Sequence, residues 1–363
     1  MSRGRASLVA AGLSGAAGLA AVAVGCALSV PRWRGPHRSN FDGERFRSIE
    51  PLDHGIRDFL RWITNRDRGP WRDFTDTPPG GKPPERAGDG RLRVTFVNHS
   101  TVLVQMDGVN LLTDPVWSNR VSPVTWAGPR RHRHPGILFS DLPPIDAVLV
   151  SHNHYDHMDV PTLRRLAASR HPRIFVGLGN AAFLSGQGIA NARDLDWWES
   201  VPLAPGVTLT AVPARHFSSR SPFDRDRALW CGFVVSGPLG SFYFAGDTGW
   251  GSHFQMIRDR FPNLNLALLP IGAYRPRWFM SQAHIDPEEA VRAHEVLGAQ
   301  VSIAIHFGTF AQADDGELEP LDALKAALAR RPEPRPRFLA LDNGEFLELT
   351  SLGNLARGGP PAR

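Results

Sequence analysis

Residues 148–159 read VLVSHNHYDHMD, an apolar run that passes directly into His152, His154, Asp156 and His157. A short run of aliphatic and β-branched residues bounded by turn signals is a buried strand. The polar cluster therefore begins where a strand ends, the place where a rigid scaffold presents chemistry. His152 and His154 are two positions apart, so in extended chain their rings point to the same side. Asp156 and His157 follow an expected turn, which aims them elsewhere. A lone histidine at a strand end is ordinarily a surface or hydrogen-bonding residue. Four donors in H-x-H-x-D-H spacing reverse that reading and point to bound metal.

If metal is bound, more donors must come from other parts of the chain. With only Cys26 and Cys231, neither a disulfide framework nor a Cys-rich zinc module can be built. Histidine and aspartate must supply the ligands. His216 ends the strand-like VTLTAVPARH, Asp247 follows SFYFAG, and His306 ends VSIAIH. With the cluster these make a set of His152, His154, Asp156, His157, His216, Asp247 and His306. One zinc ion takes three or four protein donors, so the set is too large for one ion and suits two that share a carboxylate. Asp247 is the natural bridge. Nitrogen and oxygen donors without thiolate favour Zn2+, with Mn2+ or Fe2+ as alternatives.

The order of elements indicates the frame. LRVTFV, TVLVQM and VNLLTD read as a β-meander, and strand–helix alternation follows from DAVLVSH onward. Within that alternation, DPEEAVRAHEVLG carries a helix start with Asp286 as N-cap and Pro287 at the first helical position. Two sheets face to face with helices outside, an α/β class of αββα sandwich, accommodate this order. The main folded domain is placed at residues 91–350, with a flexible tail at 351–363.

The flanks differ in composition. Arg3 and Arg5 precede the uncharged ASLVAAGLSGAAGLAAVAVGCALSV, so residues 1–30 read as a secretory signal or membrane anchor, with lipidation at Cys26 or a disordered start as alternatives. The signal, anchor and lipidation readings each place the chain against a membrane or outside the cytoplasm. Residues 31–90 form a Pro/Gly/Arg-rich extension, with TPPGGKPPERAGDG its clearest linker. Inside it, LDHGIRDFLRWITN puts Ile56, Phe59, Leu60 and Ile63 on one helical face, expected to pack on the domain, with membrane contact as the alternative.

The motif and the later His, Asp and His at strand ends resemble the metallo-β-lactamase fold of hydrolases over roughly residues 92–349. LTDPVWSNRVSPVTWAGPRR, LPPIDAVLVSHNHYDHMD, DLDWWE, FAGDTGW, PIGAYRPRWFM, HIDPEEAVRAH and AIHFGTF are similar to the N-acyl-phosphatidylethanolamine-hydrolysing phospholipase D family. The resemblance implies that His152, His154 and His216 hold one zinc ion. It gives Asp156, His157 and His306 to a second, with Asp247 bridging. It also implies cleavage of N-acyl-phosphatidylethanolamine to phosphatidic acid and N-acylethanolamine. The sequence departs from the family at Asn98, where a glycine is expected, and at Ala283, where a glutamine is common.

Further roles follow as expectations. Asp156 and His284 are assigned to catalysis, His284 as an acid or phosphate-binding group placed near the site by the resemblance. Asp114 and His99 are expected to orient ligands by hydrogen bonds, each with a plain turn residue as the alternative. The basic run GPRRHRHPG with nearby tryptophans, and RPRWFM further on, suggest contact with an anionic membrane or headgroup through Arg130, Arg131 and Trp278. A net charge of +5 suits an anionic partner such as a phospholipid or other phosphodiester. No module for nucleic acid is evident, and a homodimer is compatible with the sequence. The competing functions are a lactonase or other small-molecule hydrolase on the same scaffold, and a non-catalytic metal-binding protein.

Overall fold

The computed structural model describes Gly25 and residues 28–88, 90–350 and 355–359. The proposed signal or anchor, apart from its last residues, and the lipidation site Cys26 lie outside the described residues. Among the described residues, no helix is long and apolar enough to cross a membrane.

Two sheets face each other. In the first, β1 (Arg91–Asn98), β2 (Thr101–Met106) and β3 (Val109–Thr113) form an antiparallel meander. The chain then switches to parallel pairing through β4 (Ala147–Val150), β5 (Arg173–Gly177) and β6 (Ala192–Leu195). The second sheet repeats the plan. β7 (Ser200–Ala204), β8 (Val207–Val212), β9 (Gly232–Gly237) and β10 (Gly240–Phe244) are antiparallel, and β11 (Leu264–Pro270), β12 (Val301–Ile305) and β13 (Phe338–Leu339) continue in parallel. β14 (Phe346–Thr350) returns to the open side of β1.

Side-chain alternation explains the layers, because successive residues of a strand face opposite sides of a sheet. Leu111, Ala147 and Leu149 point between the sheets with Phe233, Phe242 and Phe244. Leu112, Val148 and Val150 point outward beneath Leu163 and Leu166 of α2 (Val160–Ser169) and Phe183 of α3 (Asn180–Gly186). The second sheet is covered by α4 (His253–Arg260), α6 (Pro287–Leu297) and α7 (Glu319–Ala329), which add Phe254, Val291 and Leu324 to the same buried cluster. Helix α6 starts as its sequence requires: Asp286 caps Glu289 N at 2.8 Å with Pro287 in the first turn. β6 and β7 are short edge strands whose polar residues hide their periodicity.

The structure adds to the reading of the flanks in three places. The extension packs against the domain along much of its length. Arg66 pairs with Asp314, Trp71 Nε1 donates to Asp315 O at 2.9 Å, and the linker-like Gly80 N donates to Gly136 O at 2.7 Å. Helix α1 (Ile56–Thr64) forms, but its apolar stripe faces solvent: Ile56, Phe59, Leu60 and Ile63 are 70%, 42%, 52% and 41% exposed. The helix is held by Trp62 instead. Its ring stacks on Phe279 at 5.2 Å and packs with Ala273, Met280 and Ala313, a socket that fits one large aromatic. Residues 355–358 of the expected tail form β15 (Leu355–Gly358), whose backbone completes an antiparallel ladder with β14.

Candidate metal centre

Past β4 the chain passes through Ser151 and His152 and turns tightly, with His157 N and Met158 N both donating to His154 O at 3.1 and 2.8 Å. The turn separates the first histidine pair from Asp156 and His157. A second segment supports it from beneath. The buried Arg220 donates to Asn153 O at 2.8 Å and Met158 O at 3.1 Å, and its guanidinium lies 4.0 Å from the Tyr155 ring centroid. Asp159 accepts from Trp117 N and Ser118 N, tying the far side of the loop to the segment after β3.

The structure brings all seven sequence-predicted donors together. His152 Nε2 and His154 Nδ1 are 2.8 Å apart, and His216 Nε2 is 3.3 Å from the same His154 nitrogen. On the other side, Asp156 Oδ2 lies 2.9 Å from His157 Nε2 and 3.4 Å from His306 Nε2. Asp247 faces both groups. Its Oδ2 is 3.2 Å from His157 Nε2, 3.1 Å from His306 Nε2 and 4.0 Å from His216 Nε2. His99 joins the second group, with Nε2 2.9 Å from Asp156 Oδ2. His284 stands at the edge, Nδ1 3.7 Å from Asp247 Oδ2.

The electrostatics divide the two groups. Burial holds His152 and His216 well below the ordinary histidine range and His154 at about 4, so their nitrogens are neutral lone-pair donors. Burial opposes charge on His157 and His306 too, but Asp156 and Asp247 outweigh it, raising His157 well above its ordinary value and His306 to about 9. The same pairing, against burial, keeps Asp156 and Asp247 well below theirs.

A cation fits this arrangement on its own evidence. His157 Nε2, His306 Nε2, Asp247 Oδ1 and His284 Nδ1 are buried with no hydrogen-bond partner. Each such atom costs about 1–3 kcal/mol when left unmade. Neutral imidazole nitrogens converging at 2.8 and 3.3 Å beside carboxylates form the imidazole–oxygen donor set of borderline divalent metals.

Asp114, expected as an orienting residue, accepts from Ser151 N at 2.7 Å and Ser151 Oγ at 2.6 Å and contacts His157 Nδ1 at 2.6 Å. Ser151 Oγ in turn lies 2.9 Å from His152 Nδ1. One carboxylate thus orients a histidine in each group. Ser151, Arg220 and the carbonyl of Ala283, which lies 3.0 Å from His216 Nδ1, were not singled out from sequence. Ser151 alone carried a signal, as a polar residue between the apolar strand and the first histidine. At one of the departures, Asn98 is buried and its side-chain amide donates to Val116 O at 3.2 Å.

The assignment of Arg131 to membrane contact is corrected. It is 5% exposed, and its guanidinium donates to the carbonyls of Val116, Ser118 and Arg133 at 3.1–3.3 Å. It therefore ties loops together beneath the surface. Arg130 is exposed beside Asp73 at 3.2 Å, and Trp278 is 41% exposed.

Comparison with known proteins places this geometry. Residues 109–307 match the model of the beta-lactamase superfamily domain. The chain is 40% identical over 270 residues to N-acyl-phosphatidylethanolamine-hydrolyzing phospholipase D 1 of Caenorhabditis elegans, covering 71% of this chain and 76% of that protein. It is 33% identical over 239 residues to the mitochondrial protein of the same activity name from Saccharomyces cerevisiae, covering 64% and 50%. Among solved structures, an isothiocyanate hydrolase from Delia radicum gut bacteria superposes with a TM-score of 0.56 at 20% identity, over 71% of this chain and 99% of that one. A metallo hydrolase from Ignicoccus hospitalis gives 0.53 at 22%, over 71% and 98%. These two share the fold.

Proposed function

The chain belongs to the beta-lactamase superfamily of metal-dependent hydrolases, and on that premise we propose that it is a dinuclear zinc phosphodiesterase of phospholipase D type. Its substrate is N-acyl-phosphatidylethanolamine. Water adds to phosphorus, the bond from phosphorus to the ethanolamine oxygen breaks, and phosphatidic acid and N-acylethanolamine leave. The observation that carries the reading is Asp247 Oδ2 facing both donor groups, at 3.1–4.0 Å from His306, His157 and His216. The identity to the Caenorhabditis elegans enzyme supports the substrate class.

His152, His154 and His216 would hold one ion, Asp156, His157 and His306 the other, with Asp247 shared. Two divalent ions in such a cage stabilise charge on a phosphoryl oxygen and supply a nucleophile from water at neutral pH. The chain's own groups do the rest. Asp114 fixes the ring of His157 by its Nδ1 and, through Ser151, that of His152. His99 holds the Asp156 carboxylate, its Nε2 2.9 Å from Oδ2. His284 is kept neutral by burial, at about 4, so it offers a phosphoryl oxygen an uncharged N–H donor.

The full chain, purified and loaded with zinc, should convert N-acyl-phosphatidylethanolamine in mixed micelles to phosphatidic acid and N-acylethanolamine, read by mass spectrometry. A chelator should abolish turnover and added zinc restore it. No turnover by protein carrying two metal ions per chain would reject this substrate and move the reading to lactones or other small esters.

A further inference from the structure

Helix α1 leaves its apolar stripe uncovered while its opposite side is fixed to the hydrolase domain. Ile56, Phe59, Leu60 and Ile63 recur at i, i+3, i+4 and i+7, one face of a helix, and each is more than two-fifths exposed. Trp278 of α5 (Arg277–Met280) stands beside the helix on its His54 and Arg61 side, along the flank of the stripe. Its ring is 41% exposed and lies 4.6 Å from the Arg61 guanidinium. Arg57 and Arg61, one turn apart, flank the stripe and are exposed. Among the described residues, the ion pairs of this segment engage Asp58 with His54 and Arg66 with Asp314, and no carboxylate pairs with Arg57 or Arg61.

We propose that α1 and Trp278 form a docking surface for an anionic lipid bilayer, with the apolar stripe seated among acyl chains and Arg57 and Arg61 at the headgroups. An apolar face bordered by uncompensated cations and an exposed tryptophan has the chemistry of an interfacial helix. A second copy of this chain fits less well, because an isologous contact would set Arg57 and Arg61 against their own counterparts. The face is also joined to the metal centre. Trp62 stacks on Phe279, and Arg277 at the start of α5 donates to the carbonyl of His284 at 2.8 Å. The bilayer surface and the candidate catalytic histidine are thus two packed contacts apart. The inference rests on the reading of the site as one that takes a bilayer lipid.

The test needs no turnover. Hydrogen exchange of the full chain is compared free, on phosphatidylcholine vesicles, and on phosphatidylcholine vesicles containing phosphatidylglycerol. Neither lipid is the proposed substrate, so a failed hydrolase assay and a failed docking assay are told apart. On the anionic vesicles the amides of residues 56–64 should slow by about tenfold, while those of α7 on the second sheet keep their free rates. Leu60→Ser with Ile56→Ser, and separately Arg57→Glu with Arg61→Glu, should each remove that protection. Both variants should keep the wild-type melting temperature and metal content. Unchanged exchange at 56–64 on vesicles that have bound the protein would overturn the proposal. So would slow exchange that rises with protein concentration in the absence of lipid, which would assign the face to a second copy.

Discussion

Asp114 Oδ2 lies 2.6 Å from His157 Nδ1, both side chains fully buried, and the same oxygen accepts from Ser151 Oγ at 2.6 Å. A buried carboxylate in this position fixes the ring orientation of one candidate ligand and, through Ser151 and His152, of another. Asp114 follows β3 directly, with φ at +29°, so the backbone there is bent to deliver it.

Asp114→Asn keeps the shape and removes the charge that holds the His157 ring. Metal affinity should fall by roughly 10–100-fold, measured by competition with a chromogenic chelator, while the far-ultraviolet spectrum is unchanged. Wild-type affinity in the variant would make Asp114 a simple turn residue.

His284→Gln should lower kcat about 100-fold with metal content intact. Its Nδ1 lies 3.7 Å from Asp247 with no hydrogen-bond partner, at the edge of the donor set. Metal loss on mass spectrometry of the native variant would move His284 into the ligand set.

Arg131→Ala removes three bonds to backbone carbonyls from a buried guanidinium. Denaturant unfolding should show a loss of about 2–4 kcal/mol. Vesicle binding by the variant that remains folded should match wild type. Selective loss of vesicle binding at full stability would restore the membrane role.

Asp226 gives a pH signature. Burial, against Arg225, pushes its carboxyl up to about 6, on a side chain 20% exposed. Between the ordinary value of 3.8 and about 6, the folded state binds the proton that the unfolded state has released. Stability contributed here is present at the low end of that window and is lost as pH rises through it. Asp226→Asn retains an acceptor for Ser218 N and avoids the charge, and its positive φ of 61° suits asparagine. The variant should match wild type near pH 4 and be more stable by about 1–2 kcal/mol at pH 7, after discounting for partial exposure. A stability difference that does not change across that window would show that Asp226 titrates normally.

Much of the donor arrangement could be read from the sequence. The apolar runs before His152 and His306 and the spacing His152, His154, Asp156, His157 are local patterns, set by strand periodicity and one turn. They placed the donors at strand ends and required more of them than one ion can use. Other features depended on residues far apart in the chain. An amphipathic pattern shows that α1 has an apolar face but not which side the domain covers. Trp62 decided that by finding Phe279 and Met280 more than two hundred positions away. The basic run 128–136 looked free in sequence, yet Arg131 is spent on carbonyls of neighbouring loops and Arg133 meets Asp342 at 2.9 Å. Asp247 could be named as a bridge from counting donors. That one of its oxygens stands within 4.0 Å of histidines from three separate strand ends was decided only when the two sheets closed face to face. The physical reason is range: hydrophobic periodicity and turns act over a few residues, whereas burial and charge pairing are fixed by whatever the tertiary fold brings alongside.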